Sequence, residues 1–496
     1  MADACDRLRA LPNELYNQIL AHLDLLSIKS LRLTSPLHAA KCLSPAFLVY
    51  YEEQETDLTP RSLQRLREIT IHPALAPAVK RLVVVAVFHD PSSLLARIRR
   101  LRDPLRGPEF YSGNSGRSTE LLDKIGQLYR IMSSRHEQQG QFSDNIIGSL
   151  SHILENLGSV DVLKLTTRVL RPDVDKTTPT SGSRFVNWNC LWADCHRLLK
   201  IVTSAMSMSK ADVATFSVFN DCFGKVQSRH FLDLNTDLTN LDFLTNTGAN
   251  IKCLNLGLST VTVVPQTNDI VFSSDGSMKH LRAVRIPTSE TRARADENFP
   301  GVALFLRQTP NLEALDLFLY NTLEGSPWAY SNLFSQISKT VHLPKLRRLT
   351  LRGIWTTLNS LLLFLRTHPD LTHIDLREVH MSGGIWEPVL KHFQTMHNLT
   401  ELHLENLWSG SEHLLNLQPK NPVYDDDVRV LGHYFPTRNG TMVHTRDISV
   451  EELKDGLEFV KSRGSSRGKG SRHLMKWIQQ RKIDYGPPEE PYVNSR

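Results

Sequence analysis

The sequence predicts an α/β chain with three parts: three short helices at the N-terminus, a horseshoe-shaped repeat array, and a flexible C-terminal tail. Apolar residues near the N-terminus recur at helical spacing, which predicts amphipathic helices. Further along, one six-residue apolar phrase returns many times, with helical stretches between its copies. Because repetition at intervals of roughly 20–50 residues indicates a stack of similar units, we expect one strand and one helix per repeat.

Residues 11–48 predict the N-terminal helices. Three apolar residues at four-residue spacing fall on one stripe of a first helix. They are Leu15, Ile19 and Leu23. Ser27 and Ser35 are predicted to cap a second and a third helix, since a serine oxygen accepts a hydrogen bond from the free backbone N–H groups there. A segment of this size buries too little apolar surface to be stable alone, so it needs the rest of the chain or a partner.

Two short sequences in this segment carry a resemblance to a known family. They are Leu-Pro-Asn-Glu-Leu at residues 11–15 and Leu-Arg-Leu-Thr-Ser at residues 31–35. Both are similar to the F-box, the motif through which substrate receptors dock onto a Skp-type adaptor within a cullin ubiquitin ligase. The resemblance implies an apolar adaptor-binding surface with these contacts: Leu11, Pro12, Leu15, Ile19, Leu20, Leu23, Ile28 and Leu31. His38 stands near the third helix where many animal F-boxes have a tryptophan, a residue that fungal members often lack.

An alternative interpretation of the same leucines is an ordinary helical hairpin that packs on the next domain. The Leu-Pro-x-Glu-Leu opening favours the F-box. Burying one leucine-sized side chain contributes roughly 1.5–3 kcal/mol, so several such groups are enough to hold a partner after the cost of association.

The repeated phrase reads Leu-x-x-Leu-x-Leu, with Val or Ile at some of the Leu positions. Its copies begin at Val79, Val160, Ile251, Leu281, Leu312, Leu346, Leu371 and Leu399. From Leu254 onward the central residues are separated by 30, 31, 34, 25 and 28 residues, a spacing slightly longer than is usual for leucine-rich repeats. The asparagine that this family carries after the strand is present at Asn406, whereas Tyr320 and Val379 stand in comparable places. The repeats therefore resemble the family in an irregular form.

These features divide the chain into four regions. They are an F-box at 8–48, a helical linker at 49–75, an irregular leucine-rich-repeat array at 76–415 with insertions near 107–117 and 171–184, and a polar, partly disordered C-terminal extension at 416–496. The period is hardest to follow between residues 165 and 250, where the clear strand prediction is Phe231–Leu234. In the extension, Ser449–Glu452 has the pattern of a helix start, and Ser462–Arg472 is basic and low in complexity.

The composition excludes several classes of protein. The net charge of +6 comes from 58 lysines and arginines against 52 aspartates and glutamates, which is too mild a bias to imply nucleic acid as a partner. Six cysteines at irregular spacing do not make a disulfide framework and fit a reducing compartment. No stretch approaches 18 apolar residues, and no secretion signal opens the chain. We therefore expect a cytoplasmic or nuclear protein that does not bind a membrane.

No group of residues in the sequence predicts catalysis, a cofactor or a metal ion. Cys190, Cys195 and His196 lack a second ligand pair at zinc spacing. Ser207–Lys210 has a Ser-x-x-Lys pattern, but its usual companions do not follow in the right order. Gly464–Gly470 lacks the spacing of a phosphate-binding loop. We therefore expect a non-enzymatic protein.

In a repeat array, the strand residues that alternate with the buried leucines line an open face. In the last four repeats most of these residues are charged. The predicted client-binding residues are Asp316, Phe318, Arg348, Arg352, His373, Asp375, Arg377 and His403. For each residue taken alone, a generic solvated face is the alternative. With the F-box resemblance, the pattern predicts a substrate-recognition subunit that binds an unidentified client protein; the alternative is an interaction scaffold outside any ubiquitin ligase.

Overall fold

The computed structural model has α/β architecture, with a helical N-terminus followed by a long and largely parallel sheet. It describes residues 8, 10–89, 144–170, 188–222, 224–240, 242–259, 270–272, 278–280, 296–320, 330–409, 413–415, 417 and 445–457. Several predicted features lie outside these residues: the insertions near 107–117 and 171–184, the phrase that begins at Leu281, and the basic segment Ser462–Arg472. Among the helices of the described ranges, none combines the length and apolar character needed to cross a membrane.

In the described part of the chain from residue 13 onward, four short helices form the N-terminal region. They are α1 (Asn13–Ala21), α2 (Leu25–Arg32), α3 (Pro36–Lys41) and α4 (Pro45–Leu48), followed by a 3-10 turn at Val49–Tyr51. The Asp24 carboxylate caps α2 by accepting a hydrogen bond from the backbone N–H of Ser27 at 2.7 Å, so the predicted cap at Ser27 was wrong by three residues. The hydroxyl of Ser35 caps α3 as predicted, accepting from the N–H of His38 at 3.2 Å. Both caps satisfy backbone donors that a helix start leaves free.

The strands and the remaining helices alternate along the chain. The strands are β1 (Glu53–Thr56), β2 (Arg81–His89), β3 (Ser159–Leu170), β4 (Asp212–Val218), β5 (Val226–Gln227), β6 (Cys253–Ser259), β7 (Ile270–Phe272), β8 (Met278–His280), β9 (Ala314–Tyr320), β10 (Arg348–Arg352), β11 (Trp355–Thr357), β12 (His373–Arg377), β13 (His380–Gly383), β14 (Glu401–Glu405), β15 (Trp408–Ser409), β16 (His413–Leu414) and β17 (Thr445–Ile448). The helices are α5 (Pro60–Ile71), α6 (Asp144–Leu157), α7 (Trp188–Ser209), α8 (His230–Asn240), α9 (Phe243–Asn246), α10 (Pro300–Arg307), α11 (Ser331–Thr340), α12 (Leu358–Thr367), α13 (Glu387–Thr395) and α14 (Val450–Asp455).

Within the described residues, eleven strands form one main sheet. Their order is β1-β2-β3-β4-β6-β9-β10-β12-β14-β17, with β5 beside β6. All the pairings are parallel except that of β14 with β17, which is antiparallel. Because spatial order follows chain order, each parallel strand lies beside its predecessor after a return connection. A second, smaller sheet has the order β11-β13-β15-β16.

The repeated apolar phrase places its leucines in register across the sheet. Leu349 lies beside Ile374, and Ile374 lies beside Leu402; all three are buried, as are the residues two positions later. The intervening residues of β10, β12 and β14 are half-buried or exposed. One face of the sheet thus packs against the helices and the other is open, as the period of two predicts.

The structure differs from the sequence prediction in three segments. Phe231–Leu234 lies in α8 rather than in a strand, because Phe231, Leu234 and Leu238 recur at helical spacing and all are fully buried. The segment predicted as a helical linker at 49–75 contains β1, which pairs with β2. The C-terminal extension supplies β17 to the edge of the main sheet.

A left-handed residue follows several strands of the main sheet. Phe219, Gly353, Glu378 and Asn406 come directly after β4, β10, β12 and β14, with φ angles of 49°, 68°, 53° and 50°. Glycine and asparagine adopt this conformation most readily, whereas other residues do so at a cost of about 1 kcal/mol or more. The position therefore accepts Gly or Asn with least strain, and the chain keeps the same turn with Phe219 and Glu378 at that cost.

We expect His230 to make the fold sensitive to acid. Its imidazole stacks on that of His196 at 4.3 Å between ring centroids, and burial, with His196 and Arg229 nearby, lowers the pKa of His230 to about 3. The unfolded chain, with an ordinary pKa near 6.5, binds this proton first, so the stabilisation is complete above pH 6.5 and is lost as the pH falls. At pH 5 we expect His230 to cost the wild type about 2 kcal/mol of unfolding free energy.

Chemical denaturation between pH 7.5 and pH 5 tests this expectation. His230→Gln should lose less stability than the wild type across this range. His152→Gln, at an exposed histidine of α6, is the matched control and should follow the wild-type curve. Identical pH slopes for His230→Gln and the wild type would contradict the assignment.

Candidate interaction surfaces

The N-terminal helices carry several large apolar side chains that are exposed to solvent. Five of them, which we call the N-terminal apolar surface, are between 38% and 88% exposed. They are Leu15, Ile19, Leu26, Leu33 and Leu37. Exposed apolar groups concentrated in one short segment are typical of a surface that a partner covers.

The structure divides the eight predicted adaptor contacts into three groups. Pro12, Leu15 and Ile19 are exposed, while Leu11, Leu23 and Leu31 are half-buried. Leu20 and Ile28 are buried, because they face inward and pack with Tyr16, Cys42 and Phe47. For Leu20 and Ile28 the predicted direct contact is therefore corrected to a role in the core. The sequence pattern missed Leu26, Leu33 and Leu37, which are exposed in their place.

A buried polar contact joins the first and third helices. The Tyr16 hydroxyl lies 2.8 Å from Nδ1 of His38, and the two rings stack at 5.8 Å. Cys42 Sγ lies 3.5 Å from the same hydroxyl, and burial raises the pKa of Tyr16. His38 is fully buried. His38 therefore holds α1 against α3 from the inside of the helical cluster.

The helical cluster also contacts the beginning of the sheet domain. Leu75 is buried in the same apolar cluster as Tyr16 and Phe47, and Ile69 of α5 packs against that cluster. Since Leu75 is followed by β2, the N-terminal helices rest on the chain that enters the main sheet. The exposed leucines therefore lie on helices whose inner side is packed against Ile69 and Leu75.

The second surface is the open face of the main sheet between β9 and β17, which we call the charged face. The strand register places three rows side by side: Ala314, Arg348, His373 and Glu401; Asp316, Thr350, Asp375, His403 and Asp447; and Phe318, Arg352, Arg377, Glu405 and Thr445. All eight residues predicted to bind a client lie in these rows. The predicted register was correct, whereas their role in binding stays a prediction.

Arg352 is the most constrained cation of the charged face. Its Nε and Nη2 atoms donate to the two carboxylate oxygens of Asp316 at 3.2 and 2.8 Å. Nη2 also donates to the side-chain oxygen of Asn220 at 2.6 Å, and Asn220 donates to Asp316 at 2.7 Å. The guanidinium lies over the Phe318 ring at 4.6 Å. Paired carboxylate and aromatic contacts of this kind fix an arginine in one orientation.

A buried lysine lies beneath this group. Lys225 is fully buried and donates to the backbone carbonyls of Phe219 and Cys222 at 2.7 and 2.6 Å. Its ammonium lies 4.6 Å from the Phe318 ring, and burial lowers its pKa to about 8. The loop it holds passes close over β6, where a Cβ at Gly257 would lie 2.2 Å from the carbonyl oxygen of Phe219. Lys225 thus fixes the loop that brings Asn220 to Arg352.

Acidic and histidine side chains dominate the last strands of the charged face. His373 lies 3.2 Å from Glu401, and Arg377 donates to Asp375 at 2.8–3.1 Å. On β17, the Asp447 carboxylate lies 2.5 Å from Nδ1 of His403. Most of these charges are already paired on the surface. The face therefore presents polar groups held in fixed positions by their neighbours.

Two kinds of residue that form or support this face could not be found from the repeat pattern. Asn220 and Lys225 follow β4, a strand in the region where no leucine phrase was visible, and Asp447 comes from the extension beyond the repeats. The pairing of β4 and β5 with β6 brings Asn220 to Arg352 on the face and leaves Lys225 buried behind it. Within the described ranges, no three His, Cys, Asp or Glu side chains are grouped so as to hold a metal ion.

Comparison with known proteins adds no name to either surface. No protein-family model matches the chain, and no curated protein matches it. The functional interpretation consequently rests on the two surfaces themselves.

Proposed function

We propose that the chain is the substrate-recognition subunit of a Skp/cullin/F-box ubiquitin ligase. In this proposal residues 8–48 are an F-box that binds a Skp-type adaptor, and through it a cullin. The observation that carries the proposal is the N-terminal apolar surface, which the fold leaves uncovered next to the Leu-Pro-x-Glu-Leu opening. Five exposed leucine or isoleucine side chains offer enough apolar area to hold a partner.

The charged face is the proposed client site, on an irregular leucine-rich-repeat array. Its support is the sequential parallel sheet, the in-register rows, and an arginine fixed by carboxylate, amide and aromatic contacts. Arginine and aromatic anchors with fixed rotamers lose little entropy on binding and are frequent in protein interfaces. The subunit would act by raising the concentration of its client near a ubiquitin-loaded enzyme, with the transfer chemistry on other subunits.

An interaction scaffold outside any ligase is the second candidate. One observation favours it: the N-terminal cluster shares its core with Leu75, as a cap on the end of a repeat array would. In that case the helices exist to protect the first strand, and no adaptor binds them. The two proposed functions thus make different predictions: substituting the exposed leucines should weaken adaptor binding only if the chain is a ligase subunit.

We expect the double substitution Leu15→Ala and Ile19→Ala to weaken adaptor binding at least tenfold. Each side chain is exposed in the free protein, and losing roughly 1 kcal/mol of apolar contact at each position, about 2 kcal/mol together, corresponds to about thirtyfold. Binding of the purified chain to a Skp-type adaptor is measured by titration calorimetry. Because both residues are exposed, the unfolding free energy should change by less than about 0.5 kcal/mol.

Leu363→Ala is the matched control, since Leu363 is an exposed leucine on α12, remote from the N-terminal helices in sequence. It should bind the adaptor as the wild type does. If the wild type itself fails to bind any Skp-type adaptor, the ligase proposal is lost and the scaffold remains. Equal affinity for the double variant and the wild type would remove the N-terminal apolar surface from the interface.

A further inference from the structure

The last strand of the main sheet joins it differently from the others. β17 runs antiparallel to β14, at the end of a row of parallel strands, with Leu402 opposite Ile448 and Glu405 opposite Thr445. The unpaired backbone groups at a sheet edge are a template for pairing with another extended chain. Here the chain covers its own edge with four residues from its C-terminal extension.

Two apolar side chains hold this short strand in place. Ile448 and, in the following helix α14, Leu453 are buried in the main core. Arg446 donates to the backbone carbonyl of Leu417 at 3.2 Å and pairs with Glu452 in α14. Arg446 and Ile448 are both buried, whereas Asp447 between them is exposed, so β17 turns two side chains inward and one outward.

One polar contact links the strand to the charged face. Asp447 lies directly opposite His403, and its carboxylate is 2.5 Å from Nδ1 of the imidazole. The groups that face His403 from the packed strands are Glu405 at 3.7 Å, Asp375 and Arg377. The carboxylates of Glu405 and Asp447 raise the pKa of His403 above its ordinary value. The pair is charged and strongest at mildly acid pH.

We propose that β14 is a docking edge for an extended peptide with an acidic residue followed by a branched apolar residue, and that β17 is an intramolecular strap that occupies it. The sequence Arg446-Asp447-Ile448 shows what this edge accepts: a carboxylate opposite His403, then an apolar side chain in the pocket that Ile448 fills. Strand addition at a sheet edge is a general mode of peptide recognition. The inference deepens the proposed client-binding role and rests on it, but it does not depend on adaptor binding.

The strap has the features of a segment that opens locally. It pairs over four residues on one side only, and its charged contact with the sheet is exposed on the Asp447 side. Short edge elements with few buried groups open at lower free energy than the core. A client segment of the same pattern therefore competes with the strap for β14.

Peptide binding in trans tests the proposal with the full chain. Ile448→Asp should release the strap, because a carboxylate cannot occupy the buried position of Ile448. A fluorescent peptide of residues 445–457 should bind this variant at least tenfold more tightly than it binds the wild-type chain. The peptide with Asp447→Asn should bind about tenfold more weakly at pH 6, since a charge-assisted hydrogen bond is lost. The peptide with Asp455→Asn is the control and should bind like the unaltered peptide.

Hydrogen exchange provides a measurement that needs no disruptive variant. In the full chain with Asp447→Asn, the amides of β14 and β17 should exchange about tenfold faster than in the wild type at pH 6, after correction for intrinsic rates. We expect the wild type to be more protected at pH 6 than at pH 8.5, and His403→Gln should abolish this difference. Unchanged exchange in Asp447→Asn, or a peptide that binds both chains equally, would overturn the proposal. Both measurements omit the adaptor, so their failure is distinct from failure of adaptor binding.

Discussion

Replacing Asp316 with alanine is expected to lower the unfolding free energy by about 2–3 kcal/mol, although Asp316 lies on the open face of the sheet. The carboxylate receives hydrogen bonds from Arg352 and Asn220, and both Arg352 and Lys225 lie over the Phe318 ring. Removing one partner of a buried ion pair costs about 3–5 kcal/mol because the other charge is left without compensation. Since the side chains of Asp316 and Arg352 are 20% and 24% exposed, water offsets part of that cost.

A double-mutant cycle measured by urea denaturation isolates this effect. Asp316→Ala with Arg352→Met removes the uncompensated guanidinium, so the double variant should be less destabilised than the sum of the two single variants. Asp370→Ala, at an exposed carboxylate outside the strands, is the control and should stay within about 0.5 kcal/mol of the wild type. An Asp316→Ala variant as stable as the wild type would show that Arg352 is adequately solvated without its partner.

The sequence was sufficient to predict the part of the fold in which each repeat carries its own signal. In β10, β12 and β14 the leucines alternate with polar residues, and the strands lie in the register that the phrase predicts. That register also placed Arg352 and Arg377 side by side on the open face. Period-two patterning determines which residues share a face, so this much of the charged face could be derived without coordinates.

Between residues 165 and 250 the same reasoning failed for a physical reason. α7 is 22 residues long and α8 is also rich in apolar residues, so helical and strand patterns overlap there. The Phe231–Leu234 phrase satisfies both periods over four residues, and the next buried apolar position, Leu238, shows that it is helical. A short apolar run does not by itself distinguish a strand from one turn of a buried helix.

In the N-terminal helices the sequence predicted apolar positions, but not which of them face inward and which are exposed. The spacing of leucines indicated an apolar stripe. It did not indicate which residues of the stripe pack in the core of the helical cluster and which remain exposed. Leu20 and Ile28 proved to be interior, and Leu26 and Leu33 proved to be exposed. Which side of a short helix faces inward depends on Phe47 and Leu75, which lie beyond the helix itself and cannot be assigned from its own periodicity.

Lys225 should make the fold more stable as the pH rises from 7.5 to 10, opposite to the effect of an ordinary surface lysine that loses a favourable ion pair. Burial lowers its pKa to about 8, while the unfolded chain keeps a value near 10.5. Between these values the unfolded state binds more protons than the native state, so the free energy of unfolding increases with pH. Integrated to pH 10, the expected gain is about 2.5 kcal/mol.

The unfolding free energy increases with pH because the neutral amine of Lys225 still fits its buried site. It still donates to the carbonyls of Phe219 and Cys222, and it no longer places a charge in the buried pocket beneath Phe318. Lys225→Met has a side chain of similar length and no ionisable group, so the variant should lack this gain. The difference in unfolding free energy between wild type and Lys225→Met should therefore widen in favour of the wild type as the pH rises.

Urea denaturation of both proteins at pH 7.5, 9 and 10 measures this difference, and other groups that titrate in the same range cancel because they are common to both chains. Lys252→Met, at an exposed lysine just before β6, is the matched control and should keep a constant difference from the wild type. Loss of the loop contact in Lys225→Met should also release Asn220 from Arg352, so Asp316→Ala should cost less in that background. If the difference in unfolding free energy between the wild type and Lys225→Met is the same at all three pH values, burial does not lower the pKa of Lys225 in the native protein.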